Sequence, residues 1–93
     1  MAQAAYITVA PHNPNGPLAT AASAHLSATI PNLLTLERRG MVEDVGRAEE
    51  VASPKLEMKD GFLLLPTGPG WGLELNDAAL AKYANVETHY DPI

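Results

Sequence analysis

Two clusters of proline and glycine limit what this chain can fold into. They are Pro11-His12-Asn13-Pro14-Asn15-Gly16-Pro17 and Pro66-Thr67-Gly68-Pro69-Gly70-Trp71-Gly72, and they hold most of the eight prolines and seven glycines. Proline has no backbone N–H and a fixed φ, so neither cluster can be the inside of a helix or of a β ladder. Both must be loops, and the regular elements lie around them.

Tyr6 to Ala10 (Tyr-Ile-Thr-Val-Ala) is β-branched or apolar without clean alternation. That predicts a short strand covered on both faces, as in a parallel sheet, ended by Pro11. Pro17 suits the first turn of a helix, where its missing N–H is harmless. Leu18 to Ile30 predicts that helix, with Leu18, Ala22, Leu26 and Ile30 on one face and many small residues that permit close approach to a sheet. Pro31 ends it. Leu33 to Leu36 predicts a second buried strand, ended by Glu37. Arg38 to Glu50 is charged and weakly patterned, which predicts a loop with some helix.

Further on, Lys59-Asp60-Gly61 is a hairpin signal between Leu56–Met58 and Phe62–Leu65. Leu73 to Leu75 alternates like a half-exposed strand. Asn76 or Asp77 caps a last helix from Ala78 to about Ala84. The tail from Asn85 to Ile93 reads as loose.

Strand, helix, strand within one short stretch is a βαβ unit, with parallel strands and a right-handed crossover. His12 and Glu37 then lie just past the carboxyl ends of two neighbouring strands, which run roughly 4.8 Å apart. Both side chains fall on one rim, the rim where α/β sheets and barrels place their ligands. Imidazole exchanges a proton near neutral pH and can serve as a general acid or base. A carboxyl group beside it can hydrogen-bond a substrate oxygen. The plain alternatives are a surface-loop histidine and a solvated strand-end glutamate.

Other polar residues carry less. His25 inside the alanine-rich helix reads as a packing or surface histidine, and His89 as part of the tail. Glu43-Asp44 and Glu49-Glu50 read as solvated charge. No His-Glu-x-x-His pattern and no Gly-x-Gly-x-x-Gly after a strand is present. The second proline-glycine cluster lacks the Lys-Ser/Thr of a phosphate loop. A net charge of −5 argues against a nucleic-acid groove or an anionic-membrane patch. The absence of cysteine removes disulfides and thiolate chemistry. No apolar run reaches the ~18 residues of a membrane span, and no charged n-region opens the chain. A cytoplasmic chain is the expectation.

Val9-Ala10-Pro11-His12-Asn13-Pro14-Asn15-Gly16-Pro17, then Ala19 to Ser23, Ile30-Pro31-Asn32 and Leu36-Glu37, closely resembles the seventh-to-eighth strand region of the mandelate racemase branch of the enolase superfamily. The resemblance is strongest to its acid-sugar dehydratases, of the galactonate and mannonate dehydratase kind. Asp60-Gly61-Phe62 and Pro66 to Glu74 resemble the same family's C-terminal segment.

The resemblance implies an α/β fold: the C-terminal part of a modified (β/α)7β barrel of TIM type, over residues 1–50. Residues 51–93 would be the extended segment that returns to the capping domain. It implies a magnesium-dependent hydro-lyase acting on a sugar acid by α-proton abstraction and loss of the β-hydroxyl. His12 would be the catalytic acid/base at the end of the seventh strand. Glu37 would be the eighth-strand glutamate that hydrogen-bonds the substrate carboxylate or enediolate. The acids that hold Mg²⁺ in that family sit at the ends of the third, fourth and fifth strands, and the aspartate that pairs with this histidine ends the sixth. None of them has a counterpart here, and Met1 to Ala5 resembles the end of the preceding barrel helix.

The expectation is therefore a C-terminal portion, inactive alone and marginal in stability, completed by an upstream portion or by self-association. A racemase or cycloisomerase of the same superfamily is a further reading, as open as the next. The second hypothesis, from another class, is a free-standing α/β interaction module that pairs with a partner through its open strand edges.

Overall fold

The computed structural model describes residues 1–38, 47 and 49–84. The readings at Glu43-Asp44, at His89 and for the tail lie outside the described residues, as does most of the charged stretch before Arg47.

The chain opens with a 3-10 turn at Gln3–Ala5. Two extended segments then run parallel, joined at the bridge Val9↔Leu33. Val9 N–H donates to Asn32 O at 3.0 Å, and Leu34 N–H donates to Val9 O at 2.8 Å. A longer ladder would next need an N–H at position 11, which Pro11 lacks. The register slips there by one residue, and Glu37 N–H donates to Pro11 O at 3.2 Å. The two predicted strands are thus reduced to one bridge with a slipped rung beyond it. They are also not covered on both faces within this chain: Tyr6, Ile7 and Leu34 are exposed.

Helix α1 spans Pro17–Ser27, with Pro17 at its start. It stops short of the expected Ile30. Thr29 N–H donates to Leu26 O and Ile30 N–H to Ser27 O, tighter i→i−3 bonds that wind the helix down before Pro31. Its buried face is also not the predicted one. Thr20, Ala21, Ala24 and Ser27 are buried, whereas Leu18 and Leu26 are exposed. Hydrophobic spacing picked the leucines, but the neighbouring loops approach closely only along the stripe of small residues.

Residues 47 and 49–51 are helical and lead into β1 (Ala52–Ser53). β2 (Met58–Lys59) and β3 (Phe62–Leu63) form the expected hairpin, with Met58 opposite Leu63. Asp60 and Gly61 take φ of 52° and 81°, the two left-handed residues of a type I′ turn. β4 (Glu74–Leu75) pairs antiparallel with β1, a pairing the sequence did not announce. Helix α2 spans Asp77–Tyr83. Asn76 is its N-cap, accepting from Ala78 N–H at 3.1 Å and Ala79 N–H at 3.3 Å. The Tyr83 hydroxyl and Lys82 Nζ both donate to Glu50 Oε2, at 2.7 and 3.0 Å, and tie α2 to the helical turn before β1. No helix among the described residues is long and apolar enough to cross a membrane.

Candidate active-site rim

The parallel bridge and the Glu37–Pro11 bond place residues 12 and 37 side by side at the carboxyl ends of their segments. The sequence-predicted pair meets there: His12 Nδ1 contacts Glu37 Oε2. The imidazole is 79% exposed and the carboxyl 47% exposed, so both face solvent from the same edge. A ring nitrogen meets a carboxylate oxygen as a donor, so Nδ1 carries a proton in this contact.

Glu37 Oε2 also accepts from the backbone N–H of Asn13 at 2.9 Å. Among the described residues, both polar contacts of the carboxyl run through Oε2. Asn13 itself is buried to 1% exposure, beneath the exposed His12. Its Nδ2 donates to Thr20 Oγ1 at 2.9 Å, and the Thr20 hydroxyl donates to Gly16 O at 3.0 Å. The rim histidine therefore stands on a loop held from below by a polar tie to the first turn of α1.

The sequence reading singled out neither Asn13 nor Thr20. The available signal was local: an amide side chain locked between two prolines, seven residues before the one threonine in an alanine-rich first turn.

The other histidine reading concerned packing. His25 Nε2–H donates to Trp71 O at 3.1 Å, and its ring lies 6.0 Å from the Trp71 indole. His25 thereby fastens the second proline-glycine loop to α1. A cleft on the hairpin side, lined by Pro54, Leu56, Leu64, Leu65 and Pro66, includes neither His12 nor Glu37. Among the described residues, no three His, Asp or Glu side chains come together as a metal-binding group.

The arrangement can move a proton at His12 Nε2 and offer a hydrogen bond at Glu37 Oε1, to a molecule lying across the rim.

Comparison with known proteins places the chain. The family model described as "Enolase C-terminal domain-like" matches residues 1–79. A D-xylonate dehydratase from Haloferax volcanii is 38% identical over 87 residues, covering 92% of this chain and 21% of that protein. A D-galactonate dehydratase from Verminephrobacter eiseniae is 37% identical over 87 residues, covering 88% of this chain and 22% of that protein.

Among solved structures, an enolase of the mandelate racemase subgroup from Agrobacterium tumefaciens superposes with a TM-score of 0.73 at 33% identity, covering 87% of this chain and 22% of that one. A putative mandelate racemase/muconate lactonizing enzyme from Burkholderia gives a TM-score of 0.76 at 28% identity, covering 95% and 21%. The chain thus spans about a fifth of the length of the curated relatives it matches. The family match covers residues 1–79, and this chain belongs to the enolase C-terminal domain-like family of the enolase superfamily.

Proposed function

We propose that this chain is the C-terminal portion of a magnesium-dependent acid-sugar dehydratase of the cytoplasm. Residues 1–50 supply the last two strands of a modified (β/α)7β barrel and the helix between them. Residues 51–93 form the segment that returns to the capping domain. The observation that carries the reading is the contact of His12 Nδ1 with Glu37 Oε2 at the shared end of two parallel segments. The dehydratase relatives, which match nearly the whole chain, support it.

In the reaction, a base supplied by the rest of the enzyme removes the α-proton of the sugar acid. The C–H electron pair first enters the Cα=C1 bond of an enediolate, with the charge on the carboxylate oxygens, and then becomes the Cα=Cβ bond as the Cβ–O bond breaks. His12, as the imidazolium with its Nδ1–H on Glu37, gives its Nε2 proton to the departing hydroxyl, which leaves as water. The resulting enol tautomerises to the 2-keto-3-deoxy acid. Glu37, with a proton on Oε1, donates a hydrogen bond to the carboxylate oxygen on which negative charge grows. Its Oε2 then acts as the carbonyl oxygen that accepts from His12 and Asn13. The magnesium implied by this reading would stabilise the enediolate, but the described residues of this chain offer it no ligand set, and no step above runs through it. The chain alone is inactive in this proposal. The upstream barrel portion covers the apolar side chains left bare here, Tyr6, Ile7, Leu26 and Leu34 among them.

The test combines the chain with a co-expressed upstream barrel portion, Mg²⁺ and a panel of sugar acids, and follows the 2-keto-3-deoxy product. His12→Ala should lower turnover by about 10²–10⁴-fold, the range for a positioned general acid. Turnover by the isolated chain that survives His12→Ala sinks the proposal. Exchange or inversion at the α-carbon with the β-hydroxyl retained would replace it with a racemase.

A further inference from the structure

We propose that Asn15–Gly16 is a site of spontaneous covalent modification: the Asn15 side chain closes onto the Gly16 nitrogen as a succinimide, which water opens to aspartate or isoaspartate. The step balances with water as its one co-reactant. The Gly16 N–H gives its proton to solvent, and the nitrogen lone pair bonds to Asn15 Cγ. The Cγ–Nδ2 bond breaks and Nδ2 leaves as ammonia. Water then opens the ring at Cγ, which gives aspartate, or at the main-chain carbonyl carbon, which gives isoaspartate.

Closure needs a free N–H, room beside it, and a side chain able to swing. All three coincide at this pair. Asn15 and Gly16 are both exposed. Among the described residues, neither the Asn15 side chain nor the Gly16 N–H makes a hydrogen bond. Nothing lies within 4 Å of the position that a Gly16 Cβ would take. The other asparagines among the described residues each lack a requirement. Asn13 is buried and precedes Pro14, whose nitrogen carries no hydrogen. Asn32 Nδ2 donates to Ile7 O at 2.7 Å, and the N–H that follows it, of Leu33, donates to Ile30 O at 3.3 Å. Asn76 Oδ1 is held by the N–H groups of Ala78 and Ala79.

The product puts a carboxylate in the loop that carries His12. Three residues of chain span at most about 11 Å. That is close to the screening length of about 10 Å at 0.1 M salt, so the rim pair feels the new charge. An anionic sugar acid lying across the rim is then repelled, a consequence that rests on the function proposed above. The modification itself does not. Helix α1 has no side-chain cap and no acidic residue in its first turn, so its start favours a carboxylate one residue before it. Isoaspartate differs from aspartate here. It adds a main-chain methylene between Asn13 and Thr20, the two ends of a 2.9 Å hydrogen bond, and so lengthens the chain which that bond spans.

The experiment incubates the full chain in mildly alkaline buffer and follows, by mass spectrometry, the tryptic fragment that ends at Arg38. A synthetic peptide of residues 12–18 sets the time scale. The fragment should lose the mass of ammonia and then gain that of water, with fragmentation placing the change at Asn15. An isoaspartyl methyltransferase should label the product. Gly16→Val, which the ordinary φ of −77° and the open space permit, should abolish the change. Asn15→Gln should abolish it too, because closure would need a larger ring. With the upstream barrel portion present, Asn15→Asp should raise the KM for a sugar acid several-fold, less so at high salt, with kcat little changed. A KM that does not move overturns the charge effect. Asn15 recovered intact after the peptide has converted overturns the proposal, as does equal conversion in Gly16→Val. Conversion at Asn15 in a chain that dehydrates no sugar acid when its barrel is complete would defeat the functional reading and leave the modification intact.

Discussion

Gly72 is the position where a single methyl group should do the most damage. Its φ is +77°, in the left-handed region. A Cβ built there would overlap Pro66 Cβ and lie 3.2 Å from the Pro66 carbonyl carbon. Pro66 cannot swing aside, because its Cβ belongs to a ring fused to the backbone. Gly70 is the natural control: its φ is +61°, but nothing lies within 4 Å of its Cβ position. Gly70→Ala therefore carries the backbone term alone, about 1–2 kcal/mol. Gly72→Ala carries the same term plus overpacking of about 1–3 kcal/mol, for a total of about 2–5 kcal/mol. Small domains have about 5–15 kcal/mol in all, so the second variant should lose a large share of its stability. The assay is urea unfolding followed by fluorescence of Trp71, the chain's one tryptophan, which neighbours Gly72 in the same loop. Displacement of that loop also moves the Trp71 carbonyl that His25 holds at 3.1 Å, so α1 should loosen with it. Equal midpoints for the two alanine variants would refute the packing argument.

Two further outcomes follow from α2. Asn76→Ala should cost about 1 kcal/mol through loss of the cap to Ala78 and Ala79, read as a lower urea midpoint with an unchanged m-value; no change would show that α2 is held from elsewhere. The tie of α2 to Glu50 should depend on pH at both extremes. The Tyr83 hydroxyl, then the Lys82 ammonium, hold the Glu50 carboxyl below its usual 4.5. Its contribution is complete above pH 4.5 and lost as the pH falls through the lowered value. Tyr83, then Glu50, hold Lys82 above 10.5, so its contribution is complete below pH 10.5 and lost as the pH rises through the raised value. Amide exchange in α2 should be slowest, relative to the intrinsic rate, between those limits; protection that stays undiminished after Glu50 itself is seen to protonate would refute the assignment.

What the sequence revealed and what it hid divide on physical grounds. Asp60-Gly61, Asn76 and Pro17 act on their own backbone or their nearest neighbours, so the hairpin, the cap and the start of α1 were all legible. The meeting of His12 with Glu37 was legible because a crossover between parallel strands leaves few other arrangements. The pairing of β1 with β4 was hidden: two-residue strands carry no period, and their partners lie more than twenty residues apart. The buried face of α1 was misjudged because hydrophobicity ranks Leu18 and Leu26 above Ala21 and Ala24, whereas close approach selects for small volume. Asn13 and Thr20 were hidden because an asparagine between prolines reads as a turn residue. Only three-dimensional packing shows that it is buried.

That burial bears on how the rim keeps its shape. The buried apolar side chains among the described residues are Ala21, Ala24, Ala52, Leu56 and Ala79, and the largest side chain below 2% exposure is Asn13. The four alanine methyls contribute on the order of 0.8 kcal/mol apiece, and of these only Ala21 and Ala24 lie on α1 beside the loop, too little to fix it by apolar packing alone. The first proline-glycine loop is held by other means. Pro11, Pro14 and Pro17 restrict φ before folding begins, which lowers the entropy lost on ordering, and the Asn13–Thr20 bond supplies direction. Order at the rim is therefore separable from the thin apolar core. Leu26→Ala, on the exposed flank of α1, should leave the His12–Glu37 contact unchanged, whereas Thr20→Val, on its buried flank, should release it.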